Sequence, residues 1–148
     1  MRSTQYTSLP TRVSVYDSTL RDGAQAEAIS FSLDDKLAIA ERLADIGVDY
    51  IEGGWPNPTN QKDVDFFRRV KELRLGSSQA AAFGSTRRAS NTPDNDPILR
   101  NLLEADTPVI TIFGKSWDLH VGKVLKISDE ENLRLIEDSI RFLVSEGR

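Results

Sequence analysis

An arginine and an aspartate stand side by side at Arg21-Asp22, inside the run Tyr16-Asp17-Ser18-Thr19-Leu20-Arg21-Asp22-Gly23-Ala24-Gln25. A carboxylate so placed can hold a divalent cation, and the guanidinium beside it can face an anion or a developing oxyanion. The same two residues could equally form a structural ion pair, and residue types alone leave both readings open. Gly23 lets the backbone turn sharply just after them. Gln25 and Glu27 carry the polar loop on toward a substrate or solvent, and Asp17 is placed to orient Arg21.

Three more polar clusters punctuate the chain. Glu52 closes an apolar run and is followed by Gly53-Gly54-Trp55-Pro56. It could position Arg21 or a substrate group, or pair with a cation from a neighbouring strand. Arg87-Arg88 follow Phe83-Gly84-Ser85-Thr86. An arginine fork there would match a carboxylate or phosphate, although adjacent loop arginines are more often solvated. Gly114-Lys115-Ser116-Trp117-Asp118-Leu119-His120 carries the single histidine of the chain. With only Asp118 nearby, His120 reads as a contact to substrate, or to a residue that itself touches substrate, rather than a metal ligand. Trp117 reads as packing or part of a lid.

The elements that must hold these residues alternate strand and helix four times. Strands are expected at Val13–Tyr16, Asp49–Glu52, Ser78–Phe83 and Pro108–Phe113, the last nearly all apolar, as for a strand buried on both faces. Helices are expected at Leu33–Ile46, from about Gln61 to Leu73, at Pro97–Ala105 and at Asp129–Ser145. Ser32 and Ser128 are the N-caps of the first and last, and Gly47 stops the first. Such alternation fits an open doubly wound sheet or part of a (β/α)₈ barrel. A polar cluster after every strand and the absence of a Gly-x-Gly-x-x-Gly turn favour the TIM barrel. A full barrel takes about 250 residues, so this chain corresponds to roughly the first four βα units, a half-barrel. Residues 1–12 read as a flexible tail, residues 13–148 as the barrel part, and the stop just past a helix reads as truncation.

The bulk properties narrow the partners. The 148 residues carry a formal net charge of -4, which argues against a broad nucleic-acid footprint. There are no cysteines, hence no disulfide framework and no thiolate metal site. The polar N-terminus lacks the apolar stretch of a signal peptide, and no run is long enough to span a membrane. A cytoplasmic location is expected.

The segment Asp17–Gln25 resembles the opening motif of the isopropylmalate, homocitrate and citramalate synthase family of metal-dependent TIM barrels. Tyr50-Ile51-Glu52-Gly53-Gly54-Trp55-Pro56, Ala82–Arg88 and Thr111–His120 are similar to its citramalate branch in particular. The resemblance implies a Claisen condensation of acetyl-CoA with a small α-keto acid, pyruvate in that branch, giving (R)-citramalate in branched-chain amino-acid (isoleucine and leucine) biosynthesis. It implies one divalent metal (Mn, Mg or Zn) chelating the keto acid. By position Asp22 would be a metal ligand, while Arg21 would contact the keto acid and the oxyanion. Glu52 would support Arg21 or the reacting groups, Gln25 would line the pocket, and Ser116, Asp118 and His120 would belong to its rim. The family takes two further ligands from a His-x-His motif that does not occur in this sequence. The isolated chain is therefore expected to be inactive, to hold metal weakly or not at all, and to self-associate as a homo-oligomer. A carbon–carbon lyase of the same superfamily and a non-catalytic, self-associating module are the competing readings.

Overall fold

The computed structural model describes residues 12–148, so the expected tail lies outside the described residues but for Arg12. Local signals set the helix ends. Ser32 caps α1 (Leu33–Asp45): its hydroxyl accepts from the Asp35 N–H at 3.1 Å, and the Asp35 carboxylate accepts from the Ser32 N–H at 2.8 Å. That reciprocal pair satisfies two backbone donors that the helix itself leaves free. Gly47, at φ +84°, ends the helix in the left-handed conformation that glycine adopts at little cost.

Four strands follow one another in one parallel sheet: β1 (Tyr16–Asp17), β2 (Tyr50–Gly54), β3 (Gln79–Ser85) and β4 (Val109–Phe113), in the spatial order β1-β2-β3-β4. Between them run α2 (Gln61–Arg69) and α3 (Pro97–Glu104). A short turn α4 (Asp118–His120), a π-type turn at Val121–Leu125 and α5 (Asp129–Ser145) follow β4. Sequential order without reversal decides between the two expected architectures. A doubly wound sheet switches direction at a crevice, whereas a barrel adds each strand to the same edge.

The helices cover one face of the sheet. Ile51, Ala80 and Ala82 pack there against Leu37, Ala40, Phe66, Phe67, Leu99 and Leu102, all buried. Alternation along the strands sends Tyr16, Glu52, Phe83 and Thr111 to the opposite face. The Tyr16 hydroxyl donates to Thr111 Oγ1 at 2.8 Å, joining the first and fourth strands. Strands spaced about 4.8 Å apart would put these two some 14 Å from each other in a flat sheet. The contact therefore reports a sheet curled around that face, as in a barrel wall.

Several boundaries differ from the expectation for physical reasons. β1 spans only Tyr16–Asp17, because β2 is its one strand neighbour among the described residues and the Val15 N–H is taken by the Asp49 carboxylate at 2.8 Å. β4 is half-buried rather than buried on both faces. Among the described residues it has a single strand neighbour, β3, and its inner side lines an open cleft. α2 ends at Arg69 and tightens into a 3₁₀ turn at Val70–Glu72. α5 runs over the expected residues, with Ser128 Oγ accepting from the Glu131 N–H at 3.2 Å.

Candidate active site

Arg21 leaves the end of β1 through a tight turn in which the N–H groups of Arg21, Asp22 and Gly23 all donate to the Ser18 carbonyl. Its guanidinium forks onto Glu52 at the end of β2: Nε donates to Oε2 at 3.0 Å and Nη2 to Oε1 at 3.3 Å. Nη1 donates to Asp22 Oδ1 at 3.0 Å. The face of the guanidinium lies 3.9 Å from the centroid of Phe83, on β3. Phe83 is itself stacked on Phe113 of β4, with centroids 5.7 Å apart, and meets the edge of Trp55 at 5.9 Å. Arg21 is thus held by a carboxylate on one edge and an aromatic face below, which leaves its rotamer little freedom. Glu52 is 1% exposed, whereas the Asp22 side chain is 62% exposed.

Tyr16 lies beside this pair. Burial, with the Glu52 charge adding to it, pushes its phenol up to about 12. The hydroxyl stays protonated at neutral pH and can donate to Thr111.

The cleft in front of Arg21 has a volume of about 620 Å³ and opens at the C-terminal ends of the strands. Gln25, Phe31, Lys36, Trp55 and Asp63 are among the residues that line it. Lys36, 2% exposed on α1, forms an ion pair with Asp63 on α2. Burial pulls the Lys36 ammonium below its ordinary range, and the Asp63 carboxylate pulls it back up. Asp63 also accepts from the Trp55 N–H at 3.0 Å and from Asn60 Nδ2 at 2.9 Å. Neither residue of this pair is singled out by the sequence motifs. One signal was available: Lys36 falls three after Leu33 and four before Ala40, on the buried face of α1.

Arg21 contacts both Asp22 and Glu52, and Gln25 joins Arg21 in the cleft wall. Ser116, Asp118 and His120 are exposed and do not line this cleft. The His120 ring lies 4.6 Å from that of Trp117, and Asp118 borders a separate, shallow depression with Gly122 and Lys123. Asp17 does not orient Arg21: its two oxygens accept from the Thr19 N–H and hydroxyl at 2.9 and 3.0 Å. Arg87 is buried rather than solvated, donating to Asp138 on α5 at 2.5 Å and to the Asn91 carbonyl at 2.9 Å. It fastens the β3–α3 loop to α5, while Arg88 is exposed.

Residues 12–148 match the HMGL-like family. The chain belongs to it. Within that family it is 56% identical over 131 residues to the (R)-citramalate synthase of Geobacter sulfurreducens and 52% over 132 residues to that of Aquifex aeolicus. A 2-isopropylmalate synthase of Sulfolobus acidocaldarius is 33% identical over 136 residues. The first match covers 88% of this HMGL-like chain and 25% of the relative, so the chain spans about a quarter of the enzyme's length. The crystal structure of Bacillus subtilis HMG-CoA lyase superposes with a TM-score of 0.66, over 89% of this chain and 42% of the lyase, at 21% identity. That likeness is one of fold.

A divalent cation of the kind the motif resemblance implies finds one donor here. The Asp22 carboxylate is accessible, with one oxygen engaged by Arg21. No group of three or more potential ligands occurs among the described residues. A single carboxylate is too few to hold a catalytic ion, and the described residues by themselves do not form a complete metal site. No helix among them is long and apolar enough to cross a membrane.

Proposed function

We propose that this chain furnishes the keto-acid side of an active site that condenses acetyl-CoA with pyruvate to (R)-citramalate. The observation that carries the reading is the aim of Arg21. A guanidinium has five N–H donors. Glu52 and Asp22 take three of them. The remaining two, one on each terminal nitrogen, are left for a carboxylate or an oxyanion in the cleft that Arg21 lines. The identity to two (R)-citramalate synthases over nearly the whole chain supports the same reading.

In this reading Arg21 binds the pyruvate carboxylate or steadies the alkoxide that forms as the carbon–carbon bond is made. Buried Glu52 holds the guanidinium in place and offsets its charge. Gln25 lies within reach of the same substrate, and the Phe83, Phe113 and Trp55 rings exclude water from behind it. Ser116, Asp118 and His120 belong to an outer rim that meets substrate only if their segment moves over the cleft. A divalent cation, when bound, would polarise the keto carbonyl. Asp22 would be one of its ligands. No group of three or more potential ligands accompanies it among the described residues. A cytoplasmic location, homo-oligomerisation and a place in branched-chain amino-acid synthesis belong to this same reading.

The test is a chimera in which this chain replaces the aligned segment of the Geobacter enzyme. The expected result is CoA release that depends on pyruvate. Arg21→Gln in the chimera should lower kcat/KM by at least about a hundredfold, as for loss of an oxyanion donor. A folded chimera that releases CoA with a different keto acid, or retains full kcat/KM without Arg21, overturns the reading.

A further inference from the structure

We propose that the Lys36–Asp63 ion pair is a positioning device that aims Glu52, and through it Arg21, by holding the chain just beyond the end of β2. A buried ion pair is weak evidence for stability, because an apolar pair of similar volume often serves as well. Asp63 is 7% exposed, and three donors converge on it: Lys36 Nζ, the Trp55 N–H and Asn60 Nδ2. Trp55 is three residues beyond Glu52, and the intervening glycines are wedged against α2. A Cβ on Gly53 would fall 2.2 Å from the Phe66 ring, and one on Gly54, at φ +139°, would fall 2.3 Å from Asp63 Oδ2.

The β2–β3 register shifts between Glu52 and Gly54. Such an irregularity beside a site re-aims the side chain next to it. Here that side chain is Glu52, whose carboxylate receives the fork of Arg21. Lys36 supplies the other half of the device. It sits on α1, directly after the loop that carries Arg21, Asp22 and Gln25. The pair therefore fastens the first turn of α1 to that of α2 in the wall of the cleft, and the Arg21–Glu52 fork ties the loop before α1 to the end of β2. With the Lys36–Asp63 tie gone, the strand end is free to relax its bulge, and Glu52 loses its fixed direction.

The functional consequence rests on the keto-acid reading; the structural claim does not. The test is nitrogen-15 NMR on the whole chain, following exchange of the Arg21 Nε–H, which is slowed when that hydrogen sits on a carboxylate. Glu52→Gln identifies the signal. Lys36→Met, which keeps the volume and removes the charge, should speed this exchange at least about tenfold while unfolding stays cooperative, because only a local tie is released. Lys36→Arg should restore the slow exchange. Unchanged Arg21 exchange in a folded Lys36→Met chain overturns the proposal. If Lys36→Met does not fold, Asp63→Asn decides by the same signal: faster exchange supports the device and unchanged exchange overturns it. Pyruvate titration of the parent chain reads separately, since failure to bind counts against the keto-acid reading and leaves the exchange result intact.

Discussion

Replacing Arg21 by lysine would separate charge from shape at the site. An ammonium keeps the positive charge but cannot fork onto both oxygens of Glu52, and it has no planar face to lay on Phe83. Arg21→Lys should therefore cost about 1–3 kcal/mol in urea unfolding, the range for leaving a buried acceptor without its partner. A loss below a few tenths would show that the fork contributes nothing net. Tyr16 offers a pH handle on the same cluster. Its phenol is raised to about 12 in the folded chain against 10.0 as the ordinary value, chiefly by burial. Between these values the unfolded chain loses the proton while the folded chain keeps it. Stability from this group is thus complete below pH 10 and lost as pH rises toward 12. Tyr16→Phe should flatten that part of the curve, and an unaltered alkaline slope in the variant would assign it to other groups.

At the scale of elements, the end of β2 tolerates least change. Gly54 combines a positive φ with direct contact on Asp63. Gly54→Ala should therefore destabilise by about 2–4 kcal/mol, since strain and overpacking act together. Thermal unfolding indistinguishable from the parent would mean the strand end can shift freely. The helix starts are of another kind. Ser32 and Ser128 were legible as caps because their partners lie three residues away. So were the four-fold alternation and the Arg21-Asp22 motif, since each is a local pattern. The Lys36–Asp63 tie and the Phe83 platform under Arg21 were not, because their partners lie 27 or more residues away and meet only after the strands pair. Periodicity flags a lysine on an apolar face without naming its partner. The overlong β1 expectation has a similar cause: β-branched residues mark a strand, but an edge position decides how many of them pair.

For the molecule as a whole, no group of three or more potential metal ligands gathers among the described residues. Calorimetric titration with Mn²⁺, Mg²⁺ or Zn²⁺ should give no binding tighter than about millimolar, the weak end of oxygen-ligand sites. Micromolar binding would reveal a donor set that Asp22 alone does not make. The sheet has two open margins, since β1 pairs only with β2 and β4 only with β3 among the described residues. Tyr16 and Phe113 are partly exposed on its inner face. Self-association in light scattering is the expected outcome, and a monodisperse monomer would count against it. The hydrogen bond from Tyr16 to Thr111 carries a different consequence, one in time. Its partners are 95 residues apart in sequence and three strand pairings apart in the sheet, so on its own it would have to close most of the chain as one loop. The strands between them must be paired before it can form. It is a late contact of high contact order: weakening it should speed unfolding and leave the rate of folding nearly untouched.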